Sequence, residues 1–368
     1  MSSTYPFTAE QIEIQNLARD FARREILPFS HIYEKEDIVK SQLPEKICQS
    51  GLVNGRIPAK FGGLGLTLFD TGLIAKELAF ACIGITSLVQ ASELAITILL
   101  IAGKEEQKEV YLAPLAKTGL AGIALPLNSR QGFDNNLIVS EESDSIILNG
   151  FCPLVLNASL SAWFIVGCSA GYFIVPRDSA GLTFSDNTRF LGCRAADIRK
   201  VDFNNVRLQP ICKISMSASG HENISVEHSA IIAAGSIGLA QAAFDQAKNY
   251  AQQRKTFGVP IASHQAIAFL LANMNTDIEA ASLMIYQPIC SQVNGNYSAK
   301  LSKCAQSFAL EMAGRVTIDS VQIFGGYGYT KDYPVEKLMR DARTYQSFYG
   351  TSCALKEELG QALLSIDI

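Results

Sequence analysis

Apolar and polar positions alternate with three different periods along the chain. Residues 1–120 show helical spacing, and Thr8 stands where an N-cap is expected, with Gln11 three residues later. Two or three further apolar helices follow, and the first group of them ends at Gly103. We therefore expect an N-terminal helical domain.

Residues 121–222 contain short apolar runs that are separated by turn residues. Runs such as SIILNG, AWFIVGC and YFIVP have the length of strands, and Asn149-Gly150 is a hairpin signal. This pattern predicts a middle β-barrel domain.

Helical spacing returns in residues 223–368. A helix from about 297 to 323 is predicted to end at Gly325-Gly326, and Pro334 is suited to the first position of another helix. One apolar stripe is formed by Ile267, Leu271, Met274 and Ile278. The fold class is therefore mainly α with a central β-domain, and the chain ends in a helical bundle.

Composition narrows the class of protein. The chain of 368 residues is 48% hydrophobic, which allows a large core, and its net charge of −4 comes without a basic stripe, which argues against a nucleic-acid partner. Nine cysteines without a C-x-x-C pair are typical of the reducing cytoplasm. The polar first ten residues do not resemble a secretory leader. The four histidines have no metal-ligand spacing, so we expect no metal site.

The uncharged stretch 145–176 is broken by asparagine, glycine and proline, so buried strands are expected there rather than a membrane span.

No strand is followed by G-x-G-x-x-G, and neither a P-loop nor a G-x-S-x-G motif occurs. Rossmann, P-loop and serine-hydrolase functions therefore have no support.

Two C-terminal segments carry candidate chemistry. The first, RKTFGVPI from Arg254, is a basic turn at a helix end, where an arginine can grip a diphosphate and Phe257 can contact a ring. The second, QIFGGYGY from Gln322, ends a helix in glycines that let a ligand approach the backbone. Taken alone, the first is more simply a solvated charge and the second a helix cap.

Together with FGGLGLTLFD at 61–70, RFLGCR at 189–194 and YPVEKLMRDAR at 333–343, these segments resemble the acyl-CoA dehydrogenase family. The resemblance runs along nearly the whole chain and is closest to the straight-chain, medium-chain type. It implies a helical domain, a β-barrel and a four-helix bundle, assembled as dimers or tetramers. It also implies FAD bound across a subunit interface and desaturation of acyl-CoA at Cα and Cβ.

The resemblance further implies a set of FAD contacts. Those that the family receives from the neighbouring subunit match Arg254, Thr256, Phe257, Gln265, Gln322, Gly325 and Gly326, and Thr351 matches a contact near the C-terminus. The family's contacts within one subunit come from the β-domain, where this chain reads ALP at 124–126 and LVLN at 154–157, without the hydroxyl donors and the tryptophan. Two or three lost hydrogen bonds, at roughly 0.5–1.5 kcal/mol each, weaken flavin binding by several kcal/mol at most.

The catalytic position also departs from the family. Relatives use a glutamate to remove the α-proton while the β-hydride passes to the flavin, and Tyr349 occupies that position here. A tyrosine with its ordinary pKa near about 10 donates a proton rather than accepting one. Some relatives carry the glutamate on an earlier helix, at the position of His228, and a neutral imidazole can act as a base. Glu227 beside it is turned by about 100° along the helix.

Three functions are compatible with this pattern. In the first, the chain completes the FAD site of a partner subunit in a hetero-oligomer with a base-bearing paralogue. In the second, it binds FAD unaided in a homodimer or homotetramer and dehydrogenates an acyl-CoA or acyl-carrier-protein thioester, with His228 as the base. In the third, it is a non-catalytic acyl-thioester-binding or scaffolding protein.

Overall fold

The computed structural model describes residues 7–124, 136–142, 144–291, 299–349 and 352–364. In these ranges the chain forms helices, then a sheet, then helices again, which confirms the predicted fold class. The helices are α1 (Ala9–Phe21), α2 (Ser30–Tyr33), α3 (Leu43–Gln49), α4 (Leu68–Ala102), α5 (Glu105–Lys117), α6 (Ala218–Gln253), α7 (Gln265–Ser291), α8 (Ala299–Phe324), α9 (Val335–Tyr349) and α10 (Ser352–Leu364). The strands are β1 (Leu120–Ala124), β2 (Asn136–Glu141), β3 (Ile146–Leu156), β4 (Ser161–Cys168), β5 (Gly171–Pro176), β6 (Leu182–Phe184), β7 (Ile198–Leu208), β8 (Lys213–Ile214), β9 (Lys255–Thr256) and β10 (Val259–Pro260).

The central sheet is open rather than closed into the predicted barrel. Its order is β6-β7-β3-β1-β4-β5-β8, with β2 paired to β3, and β1 runs antiparallel to β3 but parallel to β4. The edge strands β6 and β8 contain three and two residues, and no pairing joins them within the described part of the chain. Edges this short offer too few backbone hydrogen bonds to close a ring.

The helix α4 lies at the centre of the core. A capping box starts it: the amide of Asp70 donates to Thr67 Oγ1 at 3.3 Å, and the amide of Thr67 donates to the Asp70 carboxylate at 2.8 Å. Among the residues that the structure describes, it is the one helix long and apolar enough to cross a membrane by composition, and 83% of its most apolar window is buried inside the protein. Burial on all sides is typical of a core helix.

Two glycines let α6 approach α4 closely. A Cβ at Gly238 would lie 2.1 Å from the carbonyl oxygen of Lys76, and one at Gly235 would lie 2.6 Å from Gln90 Nε2 and 2.7 Å from the Tyr345 hydroxyl. A larger residue at either position would push the helices apart. This close packing brings α4, α6 and α9 together around Tyr345.

Most local predictions agree with the structure. Thr8 and Gln11 form a capping box at the start of α1. Met274 and Ile278 are buried, the other two residues of their stripe pack against the core, and the uncharged stretch from 145 to 176 forms β3 to β5. The helix predicted to stop at Gly325-Gly326 ends at Phe324, and a 3₁₀ helix (Gly325–Tyr329) follows it. One detail differs, because Pro334 precedes α9 by one residue instead of occupying its first position.

Candidate functional site

A small hairpin presents Arg254 at the end of α6. Its strands β9 and β10 pair Thr256 with Val259, and the turn between them has positive φ at Phe257 (51°) and Gly258 (83°). Such a turn suits glycine but strains a phenylalanine. The Phe257 side chain is 97% exposed. A strained turn that holds an apolar ring in solvent points to a surface that another molecule covers.

A surface cavity of about 490 Å³ lies beside this hairpin. Its walls include Arg254 and Thr256 from the hairpin and Gly325 and Gly326 from the segment after α8. The guanidinium of Arg254 lies over the Tyr327 ring, 5.9 Å from its centroid, and this contact orients the cation. A Cβ at either glycine would meet no atom within 4 Å, so the backbone is open to a ligand. A planar cation, a hydroxyl and bare backbone together suit a diphosphate.

The other predicted cofactor residues lie outside the wall of this cavity. Gln265 is the first residue of α7, Gln322 lies on α8, and both side chains are exposed. Phe257 is exposed at the tip of the hairpin. Thr351 lies outside the described residues. The structure therefore gathers four of the predicted contacts around one cavity and places three on the neighbouring surface.

Tyr349 ends α9 with its ring packed in the core. The ring meets Tyr345 edge to face, with centroids 4.8 Å apart, and the hydroxyl oxygen is buried without a hydrogen-bond partner. The neighbouring Ser87 side chain lowers the pKa of Tyr349, against a larger effect of burial, and its own hydroxyl donates to the Ile83 carbonyl oxygen at 2.9 Å. Burial raises the pKa of Tyr349 far above its ordinary value, so the phenol stays protonated. It therefore cannot remove a proton.

Hydrogen bonds between four helices hold this region together. Gln306 Nε2 donates to the Tyr349 carbonyl oxygen at 2.7 Å, and Ser229 Oγ donates to Gln306 Oε1 at 2.8 Å. The Tyr345 hydroxyl donates to Gln90 Oε1 at 2.9 Å. Tyr349 lines neither the cavity at Arg254 nor a second, larger one between the N-terminal helices and the bundle. Tyr349, which the resemblance predicts to stand at the position of the family carboxylate, is thus a packed core side chain.

His228 lies on α6 and is partly buried. Its Nε2 atom donates to the Leu94 carbonyl oxygen at 3.0 Å, which assigns the proton of the neutral ring to Nε2 and leaves Nδ1 as an acceptor. Burial, with a smaller contribution from the charge of Arg56, lowers the pKa of His228 to about 4. At neutral pH the ring is therefore unprotonated at Nδ1, which is the state that a base requires.

A buried carboxyl near His228 was missed by the sequence analysis. Glu93 is 2% exposed, and its Oε2 atom has no hydrogen-bond partner. Burial raises the pKa of Glu93 to about 7, although Arg56 opposes the shift. The sequence did contain a signal for this carboxyl, because Glu93 is the single charged residue in the otherwise uncharged run between Glu77 and Lys104.

Arg56 connects this cluster to α6. Its Nη2 atom lies 2.5 Å from Glu227 Oε2, and its Nη1 atom donates to Thr97 Oγ1 at 2.8 Å. Arg56 therefore lies near two buried carboxyl groups, those of Glu93 and Glu227. Glu227 follows a different direction on α6 from His228, and it forms an ion pair with Arg56. Such a pair is costly to break because the remaining charge would be left buried.

The β-domain segments that the resemblance predicts as cofactor contacts do not form an open cavity like the one at Arg254 in the described residues. Asn157 follows β3 in a left-handed conformation, is fully buried, and donates through Nδ2 to the carbonyl oxygens of Leu88 at 2.8 Å and Ala121 at 2.9 Å. Ala124 ends β1, and residues 125–135 lie outside the described ranges. The Asn157 amide nitrogen is thus committed to the core, whereas its Oδ1 atom is buried without a hydrogen-bond partner.

Comparisons with known proteins define the class. The profile described as "Acyl-CoA dehydrogenase, N-terminal domain" matches residues 8–119, and "Acyl-CoA dehydrogenase, C-terminal domain" matches residues 226–364. An acyl-CoA dehydrogenase of Bacillus subtilis is 33% identical over 94% of this chain and 95% of that protein. A 3-(aryl)acrylate reductase of Clostridium sporogenes is 33% identical over 94% of this chain and 96% of that protein. The chain therefore belongs to the acyl-CoA dehydrogenase family.

Solved structures agree with this assignment. Butyryl-CoA dehydrogenase from Megasphaera elsdenii superposes with a TM-score of 0.89 at 27% identity, covering 98% of this chain and 100% of that one. An acyl-CoA dehydrogenase complexed with FAD from Bacillus anthracis gives 0.90 at 25% identity, covering 99% of this chain and 68% of that one. FAD is the cofactor of the family. The open, cationic cavity at Arg254 fits its diphosphate, whereas the packed ring of Tyr349 offers it no polar group.

Proposed function

We propose that this chain supplies half of an FAD site to a partner subunit and does not itself remove the α-proton of an acyl thioester. The observation that carries the proposal is the packing of Tyr349, a protonated phenol whose buried hydroxyl has no partner. FAD, when bound, supplies the acceptor for the hydride. The partner is expected to be a paralogue that carries a carboxylate at the corresponding position, so that the assembly is a hetero-oligomer in the cytoplasm.

The half-site residues have separate roles in this proposal. Arg254 would neutralise the diphosphate, Thr256 would donate a hydrogen bond, and Gly325-Gly326 would let the nucleotide lie against the backbone. Phe257 would be covered by the partner or by the cofactor, which explains why an apolar ring is exposed in the lone chain. The acyl-CoA or acyl-carrier-protein thioester would be held mainly by the partner.

Flavin content tests the proposal directly. The chain should be colourless when it is purified alone, and the complex should be yellow when the chain is co-expressed with a base-bearing paralogue. In that complex, Arg254→Gln should weaken flavin retention by about 10–100-fold, because a charge-assisted hydrogen bond contributes about 1.5–3 kcal/mol. Lys255→Gln is the matched control, since this neighbouring lysine is exposed and lies outside the cavity wall.

Two other results would replace the proposal. A lone chain that is yellow and desaturates acyl-CoA would be a complete enzyme. A chain that stays colourless alone and with a paralogue, yet binds an acyl thioester, would be a non-catalytic binding or scaffolding protein.

The complete enzyme is a second candidate because of one observation at His228. Its Nε2–H is committed to Leu94, and its low pKa keeps Nδ1 free of a proton at neutral pH. If the lone chain is active, His228→Asn should reduce turnover by about 10²–10⁴-fold, since an amide can still donate to Leu94 but cannot act as a base. Unchanged turnover would reject His228 as the base.

A further inference from the structure

A histidine contacts the hydroxyl group that lies in the wall of the cavity at Arg254. Thr256 Oγ1 and His264 Nε2 are 2.9 Å apart, and the donor in this hydrogen bond depends on the tautomer of the ring. Thr256 belongs to the wall of the cavity, whereas His264 does not. His264 can therefore influence a ligand of the cavity through the Thr256 hydroxyl without touching the ligand.

Main-chain hydrogen bonds hold His264 beside the hairpin. The amide of Ile261 donates to the Arg254 carbonyl oxygen at 2.8 Å, and the amide of His264 donates to the Ile261 carbonyl oxygen at 3.1 Å. The His264 carbonyl oxygen accepts from two amides in the first turn of α7, both at 3.0 Å. Its ring meets Phe257 edge to face, with centroids 6.3 Å apart. The imidazole is thus positioned by contacts other than its bond to Thr256.

The direction of this hydrogen bond decides what Thr256 offers to a ligand, because a hydroxyl group has a single proton. If Nε2 of His264 is unprotonated, the hydroxyl donates to the ring and only its lone pairs remain for the cavity. If Nε2 carries a proton, the ring donates and the hydroxyl proton is free to point at a ligand. The oxygens of an ionised diphosphate accept hydrogen bonds, so they bind the second arrangement and disfavour the first.

No hydrogen bond within the described part of the chain fixes the tautomer of His264, since Nδ1 has no partner there. His228 is different, because the Leu94 carbonyl oxygen can only accept and so requires a proton on Nε2. A threonine hydroxyl can donate or accept, so it is compatible with both states of the His264 ring. A ligand that binds one state better shifts the ring toward that state.

We propose that His264 is a positioning residue of the FAD half-site, where it donates through Nε2 to Thr256 and thereby turns the hydroxyl proton toward the diphosphate. This role rests on the proposed function, because it concerns the same cavity at Arg254. Arg254 supplies the charge of the half-site, and the pair of Thr256 and His264 supplies an oriented donor. The ring keeps a proton on Nε2 while the site is filled.

Heteronuclear NMR of the full chain with isotope-labelled histidine side chains tests this role directly. The chain has four histidines, and His264→Gln identifies the His264 signals. A half-site releases flavin during purification, so FAD is added in excess. FAD should move the Nε2 signal of His264 toward that of a protonated nitrogen, whereas riboflavin, which lacks the diphosphate, should leave it unchanged. In Thr256→Val, FAD should no longer move this signal.

The FAD affinity of variants separates positioning from a structural role. Thr256→Val removes the hydroxyl and should weaken FAD binding by about tenfold. His264→Phe keeps a ring beside Phe257 but has no donor, and it should weaken binding by about threefold, because the hydroxyl can still turn to the ligand unaided. His264→Gln keeps an N–H donor and should bind FAD like the parent. His31→Gln, at an exposed position on α2, is the control and should have no effect.

The double variant completes the test. Because His264 acts through the hydroxyl, Thr256→Val combined with His264→Phe should bind FAD no more weakly than Thr256→Val alone. A further loss in the double variant, an Nε2 signal that FAD does not move, or parent-like binding by His264→Phe would each overturn the role of His264. If Arg254→Gln still loses FAD in that case, the half-site itself stands. If the chain shows no FAD binding that depends on Arg254, the half-site and the role of His264 fail together.

Discussion

The region around Arg254 and the region around Tyr349 lie in the same bundle but have opposite character. At Arg254 a cation, a hydroxyl and bare glycine backbone face an open cavity, and the nearby Phe257 ring lies in solvent. At Tyr349 the carbonyl group is hydrogen-bonded inside the protein and the ring is packed. The first region exposes groups that another molecule can contact, whereas the second is packed against the rest of the protein.

In the proposed function, holding the cofactor and removing the proton place separate demands on a chain of this family. A cofactor contact depends on exposed donors and on backbone that stays open, and the proposal keeps these in a chain that is not itself a catalyst. A base depends on an ionised group in a desolvated place, which is costly unless catalysis requires it. The protonated Tyr349 carries no charge, and its ring is stabilised by packing in the core.

The largest expected effect comes from restoring the family carboxylate. Tyr349→Glu should lower the free energy of unfolding by about 3–5 kcal/mol, because it removes a packed ring and leaves a buried carboxylate without a partner. Tyr349→Phe is the matched control. It deletes only a hydroxyl without a hydrogen bond and should leave stability within about 1 kcal/mol of the original, or raise it. Urea unfolding measures both. A glutamate variant as stable as the parent would show that the position is open.

Glu93→Gln should change how stability depends on pH. The folded-state pKa of about 7 lies above the ordinary value of 4.5, so the stabilisation is complete below pH 4.5 and is lost as the pH rises through 7. The difference corresponds to about 3 kcal/mol. Glutamine has no proton to lose, and the variant should be more stable than the parent at pH 8 and similar at pH 4.5. Parallel pH profiles for the two proteins would contradict a protonated Glu93.

His228→Asn should act on the acid side with the opposite sign. The folded-state pKa of about 4 lies below the ordinary value of 6.5, so this stabilisation is present above pH 6.5 and is lost as the pH falls through 4. Because the side chain is partly exposed, we expect an effect of about 1–2 kcal/mol. In thermal unfolding between pH 4 and 7, the melting temperature of the variant should fall less with decreasing pH than that of the parent. A larger fall for the variant would indicate that the ring is charged in the folded protein.

The smallest effect on the lone chain is expected at Phe257. Phe257→Ser should change the free energy of unfolding by less than about 0.5 kcal/mol, because the ring is exposed and its loss leaves no cavity. In the complex with a paralogue, the same change should weaken subunit association measurably, which sedimentation can follow. Ile138→Ser, another substitution of a largely exposed apolar residue, is the control and should leave association unchanged. Equal association of all three proteins would remove Phe257 from the interface.

The sequence by itself determined the order of helices and strands, the N-cap of α1 at Thr8, the end of α4 at Gly103, and the family. These follow from periods and short motifs, which depend on residues a few positions apart. The prediction that Tyr349 stands at the family's glutamate position also came from the sequence, since it rests on a short motif.

Tertiary structure decided what the sequence left open. Whether Tyr349 faces a cavity or the core depends on Gly235, Gln90 and Tyr345, which come from three helices far apart in the chain. The pKa of Glu93 is likewise set by burial against the opposing charge of Arg56, and the proton of His228 is placed on Nε2 by the carbonyl oxygen of Leu94. Ionisation and cavity shape are set by neighbours in space, and a linear pattern carries no information about neighbours that only folding brings together.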